Sequence, residues 1–222
     1  MSINRPYTSV AELANPIPIF PLPGALLLPR GQMPLNIFEP RYVSMFDDAL
    51  KSHRLIGMVQ PKDARGGGVQ QIDIHDVGCV GRITQFAETG DGRYMLTLNG
   101  VARFRIEEEL SVVTPYRQCT VEYDEFTADL VDRAGEDIVD RKSVVEALRR
   151  FAEVRQLQVD WKEIKETPTE MLVNALSMIS PFGVSEKQAL LEAKDLKTRA
   201  EVLVAITEME LARAGSNSST LQ

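Results

Sequence analysis

Residues 38–42, FEPRY, bring an acid, an arginine and two aromatic side chains to the point where a strand-like run gives way to a helical pattern. The residue before a proline favours extended backbone, and proline is tolerated in the first turn of a helix. We therefore expect Glu39 to end a strand and Pro40 to begin a helix. Side chains of these types could bind a ligand, take part in acid–base chemistry or hold the fold together.

The two charged residues of this stretch are predicted to have separate partners. Glu39 and Arg41 are two positions apart and would not face each other across a helix. The sequence predicts a salt bridge from Glu39 to Arg103 or Arg105. The favoured interpretation is a structural clamp of Glu39, Arg103 and Arg105 that joins the helix to the β domain, and a ligand-contacting role is the alternative.

Four residues, Phe38, Arg41, Tyr42 and Trp161, are candidates for a binding surface. Phe38 and Tyr42 flank the turn, one on the strand and the other on the first helical turn, and would line a groove between the β domain and the helix. Trp161 lies between helical segments and could be a partly exposed anchor. For all three aromatic residues, core packing is the favoured interpretation.

No catalytic or metal-binding set of residues is predicted. Neighbouring acids, at 47–48 and at 107–109, point in different directions and are typical of solvated surface. The segment DIHDVGC at 73–79 lacks the recurrent spacing of metal ligands. Neither Cys79 nor Cys119 lies in a nucleophile motif, so both are predicted to be small core residues.

Composition excludes several classes of protein. The 222-residue chain has a net charge of −7 and a pI near 5.0, whereas nucleic-acid affinity depends mainly on clustered Lys and Arg. Two cysteines give no disulfide framework and favour a reducing compartment. The N-terminus lacks the apolar run of a signal peptide, and no stretch approaches the roughly 20 apolar residues of a membrane span. We expect a cytoplasmic protein with neither nucleic acid nor membrane as a partner.

The first part of the chain has the pattern of a small β domain with one inserted helix. A helix of about three turns is predicted from Pro40. An exposed loop is predicted at 62–71, a hairpin at Asp91-Gly92 and a further turn at Asn99-Gly100. Strands are predicted at 17–38, as short edge strands, and at 55–61 and 116–126.

After about residue 127, the helical spacing of apolar residues replaces the alternation of apolar and polar residues that is typical of strands. Residues 136–157 carry the wide apolar stripe of a packed helix. Thr167 and Ser185 are predicted N-caps, because each is followed three positions later by Glu or Gln. The predicted organisation is a flexible arm at 1–15, a β-rich subdomain at 16–126, a helical bundle at 127–214 and a disordered tail at 215–222.

Four segments in order along the chain carry a family resemblance: IPIFPLPGALLLPRGQMPLNIFEPRY, GCVGRI, DGRYMLTLNGVARFRI and EKQALLEAKDLKTRAEVL. Together they resemble the N-terminal, substrate-binding domain of Lon proteases in its stand-alone bacterial form. The resemblance extends over nearly the whole chain. It implies an α+β fold, with a pseudo-barrel of the PUA type followed by an α-helical bundle.

The same resemblance implies a non-catalytic module that binds polypeptide segments or unfolded proteins and needs no cofactor. No phosphate-binding G-x-x-x-x-G-K-[ST] motif occurs, and the glycine run at 66–68 has no lysine after it. The serine–lysine dyad of Lon lies in a domain that this sequence does not contain. Labels such as ATP-dependent protease are therefore not supported by these residues.

Other functions stay open at this point. The chain could be a regulatory partner or adaptor of an ATP-dependent protease. It could also bind a small molecule between barrel and bundle, although the sequence shows no converging set of polar groups for catalysis there. Kinship to PUA-like folds suggests nucleic acid, but a fold analogy is weak and the acidic pI opposes it.

Overall fold

The structure, a computed structural model, describes residues 4–62 and 73–219, with the backbone alone from 215 to 219. The strands of this part of the chain are β1 (Ile17–Pro21), β2 (Gln32–Ile37), β3 (Leu55–Val59), β4 (Val77–Glu88), β5 (Tyr94–Glu109) and β6 (Arg117–Glu122). Its α-helices are α1 (Pro40–Lys51), α2 (Arg141–Arg155), α3 (Trp161–Glu166), α4 (Thr169–Ile179), α5 (Val184–Glu192) and α6 (Leu196–Ser219). The loop predicted at 62–71 lies, apart from Lys62, outside the described residues.

The long strand β5 closes the sheet into a barrel. Strands β5, β4, β3, β1 and β6 follow one another around it, and β6 pairs back onto the second half of β5. Strand β2 pairs with the first half of β5 and has no strand on its other edge in the part of the chain that the structure describes. The predicted α+β class, with a barrel and an inserted helix before the C-terminal helices, is confirmed. The prediction of edge strands was wrong for β1, which lies between β3 and β6.

The two predicted turns have different outcomes. The hairpin at Asp91-Gly92 is confirmed, since it joins β4 to β5 and Gly92 has a φ of 80°. The turn at Asn99-Gly100 was wrong, because both residues lie inside β5. Gly100 is needed there for a close approach of two backbones: a Cβ would overlap the carbonyl oxygen of Leu28.

Replacing Gly100 by alanine is expected to lower the free energy of unfolding by about 1–3 kcal/mol, because the Leu28 backbone must move away. That movement would also strain the hydrogen bond from the Arg30 N–H to the Gly100 carbonyl, 2.8 Å long. Urea denaturation measures the loss. The exposed Gln32→Ala on the neighbouring strand is the control, with a change within about 0.5 kcal/mol. Equal urea midpoints for Gly100→Ala and Gln32→Ala would contradict the close approach of the Gly100 and Leu28 backbones.

Two apolar clusters form the core. One fills the barrel and includes Ile17, Phe104 and Cys119. The other lies between the barrel, α1 and the C-terminal helices, with Phe46 and Leu203 among its members. Because the second cluster contains residues from both parts of the chain, the barrel and the helices are joined by a shared hydrophobic cluster.

A buried ion pair also joins the barrel to the helices. The Arg103 Nε and Nη2 groups donate to the two carboxylate oxygens of Asp129 at 2.9 Å each, and the Arg103 backbone N–H donates to the same carboxylate. Arg103 Nη1 donates to the carbonyl oxygens of Leu191, in the last turn of α5, and of Ala193, which follows that helix. The predicted boundary at 126–127 falls in the 3₁₀ helix Asp124–Leu130 that carries Asp129, and the division into subdomains stays a prediction.

The predicted helix caps near α4 and α5 were wrong in detail. Helix α4 begins at Thr169, and the Glu170 carboxylate accepts the Arg133 N–H at 2.9 Å and pairs with Arg30 instead of capping its own helix. Helix α5 begins at Val184, which places Ser185 inside the helix. The Glu170 side chain therefore binds Arg133 and Arg30, which are distant in sequence, although the capping pattern predicts that it bonds to the start of its own helix.

Helical structure is present at both ends of the described chain, where the sequence predicts a flexible arm and a disordered tail. The arm predicted at 1–15 contains the 3₁₀ helix Val10–Glu12, and Leu13 is buried against the barrel. The Asn15 side chain exchanges hydrogen bonds of 2.9 and 3.0 Å with the Val121 backbone. At the other end, the backbone of α6 runs to Ser219, through part of the predicted tail.

Candidate functional site

A cleft of about 1050 Å³ opens beside the corner where β2 turns into α1. One wall is formed by the end of β1, the unpaired side of β2 and the first turn of α1, and the opposite wall by residues 109–117 between β5 and β6. The residues on which the site depends are Phe20, Pro34, Phe38, Glu39, Arg41, Tyr42, Glu109, Val112, Tyr116 and Arg117. The cleft is large enough for several side chains of a bound chain or for a drug-sized ligand.

The structure brings three of the four predicted binding residues to this cleft. Phe38, Arg41 and Tyr42 line it, as the position of Pro40 at the start of α1 requires. Phe38 is 60% exposed, so the favoured interpretation of core packing was wrong for this residue, whereas Tyr42 is buried as that interpretation predicts. Trp161 lies elsewhere, in a separate pocket at the end of α2.

The predicted salt bridge from Glu39 to Arg103 or Arg105 was wrong. Glu39 precedes the helix in an extended conformation, so its carboxylate turns back to Arg41, with Oε2 at 2.8 Å from Nη2. Arg103 pairs with Asp129, and Arg105 pairs with Glu125 at 2.7 Å on the exposed surface. The rule that excludes contact between positions two apart applies within a helix, and Glu39 lies outside it.

Tyr42 supplies a polar group to the floor of the cleft. Its ring contacts that of Phe20, with centroids 4.3 Å apart, and the Arg41 guanidinium lies 4.2 Å above it. Its hydroxyl has no hydrogen-bond partner among the residues that the structure describes, although only 6% of the residue is exposed. Burial raises the pKa of Tyr42, and the carboxylate of Glu39 raises it further, while Arg41 and Arg117 oppose the shift. The hydroxyl is therefore neutral at pH 7 and available to a ligand.

The opposite wall comes from residues that the sequence did not single out for binding. Arg117 Nε donates to Glu109 at 2.7 Å. The Tyr116 hydroxyl donates to Asp48 of α1 at 2.9 Å, and burial together with this bond raises the pKa of Tyr116 to about 12. Val112 leaves its side chain exposed beside them. The Tyr116–Asp48 hydrogen bond therefore connects this wall to α1, and the Arg117–Glu109 pair lies within the wall itself.

Charge and backbone chemistry limit what the cleft can bind. Its two arginines, Arg41 and Arg117, are each neutralised by a glutamate, so the walls carry little net charge. Pro34 lies within β2, and a proline has no N–H to donate to an added strand. A bound chain would therefore be held by side-chain contacts with apolar walls more than by continuation of the sheet.

Other kinds of site are not found in the described residues. Within 4–62 and 73–219, no group of three or more His, Cys, Asp or Glu side chains could hold a metal ion. Over the same residues, each helix is too short or too polar to cross a membrane. Cys79 and Cys119 are buried without a disulfide, which confirms them as core residues, and burial raises the pKa of the Cys119 thiol to about 11.

Solved structures share this fold. The Lon N-terminal domain protein from Xanthomonas campestris superposes with a TM-score of 0.62 at 20% identity, covering 86% of this chain and 98% of that one. The N-terminal domain of a Mycobacterium avium complex Lon protease gives a TM-score of 0.63 at 16% identity, covering 87% of this chain and 98% of the other. At these identities the likeness establishes the fold alone.

Sequence comparison identifies the family. Lon protease 2 of Myxococcus xanthus is 26% identical over 87% of this chain, and the Lon protease of Anaeromyxobacter dehalogenans is 27% identical over 85% of it. The chain spans only 23% and 22% of the lengths of these relatives, in their N-terminal region and outside their ATPase and protease parts. The sequence model described as the ATP-dependent protease La (LON) substrate-binding domain matches residues 16–208. The chain therefore belongs to the LON substrate-binding domain family.

Proposed function

We propose that this chain binds unfolded or extended polypeptide segments in the cleft between the β2–α1 corner and residues 109–117. Three features around one opening carry the proposal: the exposed Phe38, a Tyr42 hydroxyl with no hydrogen-bond partner in the described part of the chain, and two arginines that are each paired with a glutamate. An apolar side chain would pack on Phe38, and a peptide carbonyl would accept a hydrogen bond from Tyr42.

The role is binding without catalysis, in the cytoplasm and without nucleic acid. Among the described residues that line the cleft, Tyr42 and Tyr116 have shifted pKa values, and both are raised, so neither hydroxyl acts as a base at neutral pH, as a hydrolytic site would require. The buried free cysteines fit a reducing compartment, and the net charge of −7 opposes a phosphate-binding surface.

A direct test compares one protein in two states. Fluorescein-labelled α-lactalbumin, reduced and alkylated so that it stays unfolded, is titrated with this chain and followed by fluorescence anisotropy. Because both proteins are acidic, charge attraction does not favour their association. We expect saturable binding of the unfolded form and none of the native form. Equal binding of both forms, or of neither, would overturn the proposal.

Tyr42→Phe is expected to weaken binding of the unfolded protein by about 2- to 12-fold, the value of one hydrogen bond. The substitution removes only a hydroxyl that has no partner among the described residues, so the free energy of unfolding should not fall. Tyr116→Phe is the matched control for folding: it breaks the bond to Asp48 and should lower stability instead. Unchanged affinity for Tyr42→Phe would remove Tyr42 from the site.

A further inference from the structure

A second pocket, of about 510 Å³, lies where α2 ends and α3 begins. It is lined by Arg149, Ala152, Glu153, Gln156, Leu157 and Trp161. Gln156 ends α2 in the left-handed conformation, with a φ of 54°, and turns the chain back. The Asp160 carboxylate then caps α3 by accepting the N–H groups of Lys162 and Glu163, at 2.9 and 3.1 Å. These two local signals place the Trp161 ring against α2.

Arg149 differs from the other basic side chains of α2. Lys142, Arg150 and Arg155 each pair with a glutamate, and Arg141 donates to the Thr169 hydroxyl and a backbone carbonyl. Within the described part of the chain, the partner of Arg149 is the Trp161 ring, 5.1 Å from the guanidinium carbon. Among the residues that the structure describes, no carboxylate or carbonyl oxygen accepts a hydrogen bond from the Arg149 N–H groups.

The second pocket combines the positive charge of Arg149 with an exposed apolar surface. Leu157 is 52% exposed and Trp161 is 38% exposed. A guanidinium stacked on an aromatic ring keeps its edge available, and that edge matches a carboxylate in a bidentate geometry. Glu153 lies one turn along α2 but makes no ion pair with Arg149, so the guanidinium is not neutralised as it is in the first cleft.

We propose that this pocket binds a short acidic segment of a partner protein, with an Asp or Glu carboxylate on Arg149 and an apolar side chain against Leu157 and Trp161. The first cleft, with its paired arginines, gives no preference for acidic segments. The chain then has two binding surfaces of different selectivity. This inference does not depend on the function proposed for the first cleft, since it uses none of the residues of that cleft.

Trp161 makes the test specific, because it is the one tryptophan in the 222 residues. The full chain is titrated with the peptide GELEELG, acetylated and amidated at its ends, while tryptophan emission is recorded. GQLQQLG, which keeps the shape and leucines but carries no charge, is the matched peptide. We expect a saturable change in emission with GELEELG, weakened by added salt, and none with GQLQQLG. Absence of a change with GELEELG, or an equal change with both peptides, would overturn the proposal.

Two variants with opposite expected effects on affinity test the roles of Arg149 and Glu153. Binding is followed by the fluorescence anisotropy of labelled GELEELG. Arg149→Gln is expected to weaken binding about tenfold or more, because a charged hydrogen bond is lost. Glu153→Gln is expected to tighten it, because a like charge is removed from the pocket. Phe86→Ala, on β4 and in the lining of neither pocket, should leave the affinity for this peptide unchanged. An Arg149→Gln variant that keeps its circular dichroism spectrum and its full affinity would contradict the assignment.

Discussion

Replacing Asp129 by asparagine is expected to lower the free energy of unfolding by about 3–5 kcal/mol, the cost of leaving a buried charge without its partner. Asp129 is buried and accepts three hydrogen bonds from Arg103, which is also buried. Arg199 lies close enough to feel the same carboxylate, and desolvation lowers the pKa of Arg199 to about 10. Without the negative charge, two buried guanidinium groups would face each other between barrel and helices.

Denaturation with guanidinium chloride, followed by circular dichroism, measures this loss in the free energy of unfolding. The control is Glu125→Gln, which breaks the exposed pair with Arg105 and should cost less than about 1 kcal/mol. A double variant, Arg103→Met with Asp129→Leu, should recover part of the stability, because the Arg103 charge is removed together with its partner, while Arg199 keeps its hydrogen bonds to the Leu190 carbonyl and the Asn174 side chain. If Asp129→Asn were as stable as Glu125→Gln, the pair would not be what joins barrel to helices.

Replacing Phe38 by alanine is expected to weaken the binding of unfolded α-lactalbumin by about 30-fold or more, equivalent to about 2 kcal/mol. Phe38 presents the largest exposed apolar side chain at the cleft, and interface anchors of this kind dominate binding energies. Its exposure also means that the substitution removes little buried area from the folded chain, so stability should change by about 0.5 kcal/mol at most.

Phe86→Ala is the matched control for this prediction. Phe86 is 56% exposed, close to the value for Phe38, but it lies on β4 and does not line the cleft. Its edge contact with Phe46 means that stability is measured alongside affinity. We expect full affinity for Phe86→Ala. Equal losses of affinity in both variants would indicate general surface stickiness instead of a site.

Features decided by neighbouring residues were predictable from the sequence. The start of α1 at Pro40 follows from the restrictions that proline places on itself and on the preceding residue. The hairpin at Asp91-Gly92 follows from a positive φ that glycine accepts. Since the FEPRY stretch spans that helix start, the part of the cleft lined by Phe38, Arg41 and Tyr42 was predictable as well.

Features decided by distant residues were not predictable. Gly100 marks a close backbone contact with Leu28, and Asn-Gly is a turn signal only where nothing approaches the chain. Arg103 finds Asp129, 26 positions away, and no local pattern distinguishes that carboxylate from Glu39. The second wall of the cleft, residues 109–117, meets α1 only because β5 and β6 close the barrel.

Photo-crosslinking of a bound chain shows whether unfolded polypeptides bind in the cleft between the β2–α1 corner and residues 109–117. Unfolded α-lactalbumin carrying benzophenone groups is irradiated in complex with the 222-residue chain, and mass spectrometry locates the attached residues. The structure predicts attachment within 34–42 and within 109–117, the two walls of the cleft, and loss of that attachment in Phe38→Ala. Attachment confined to α2–α6, with none on either wall, would contradict the account.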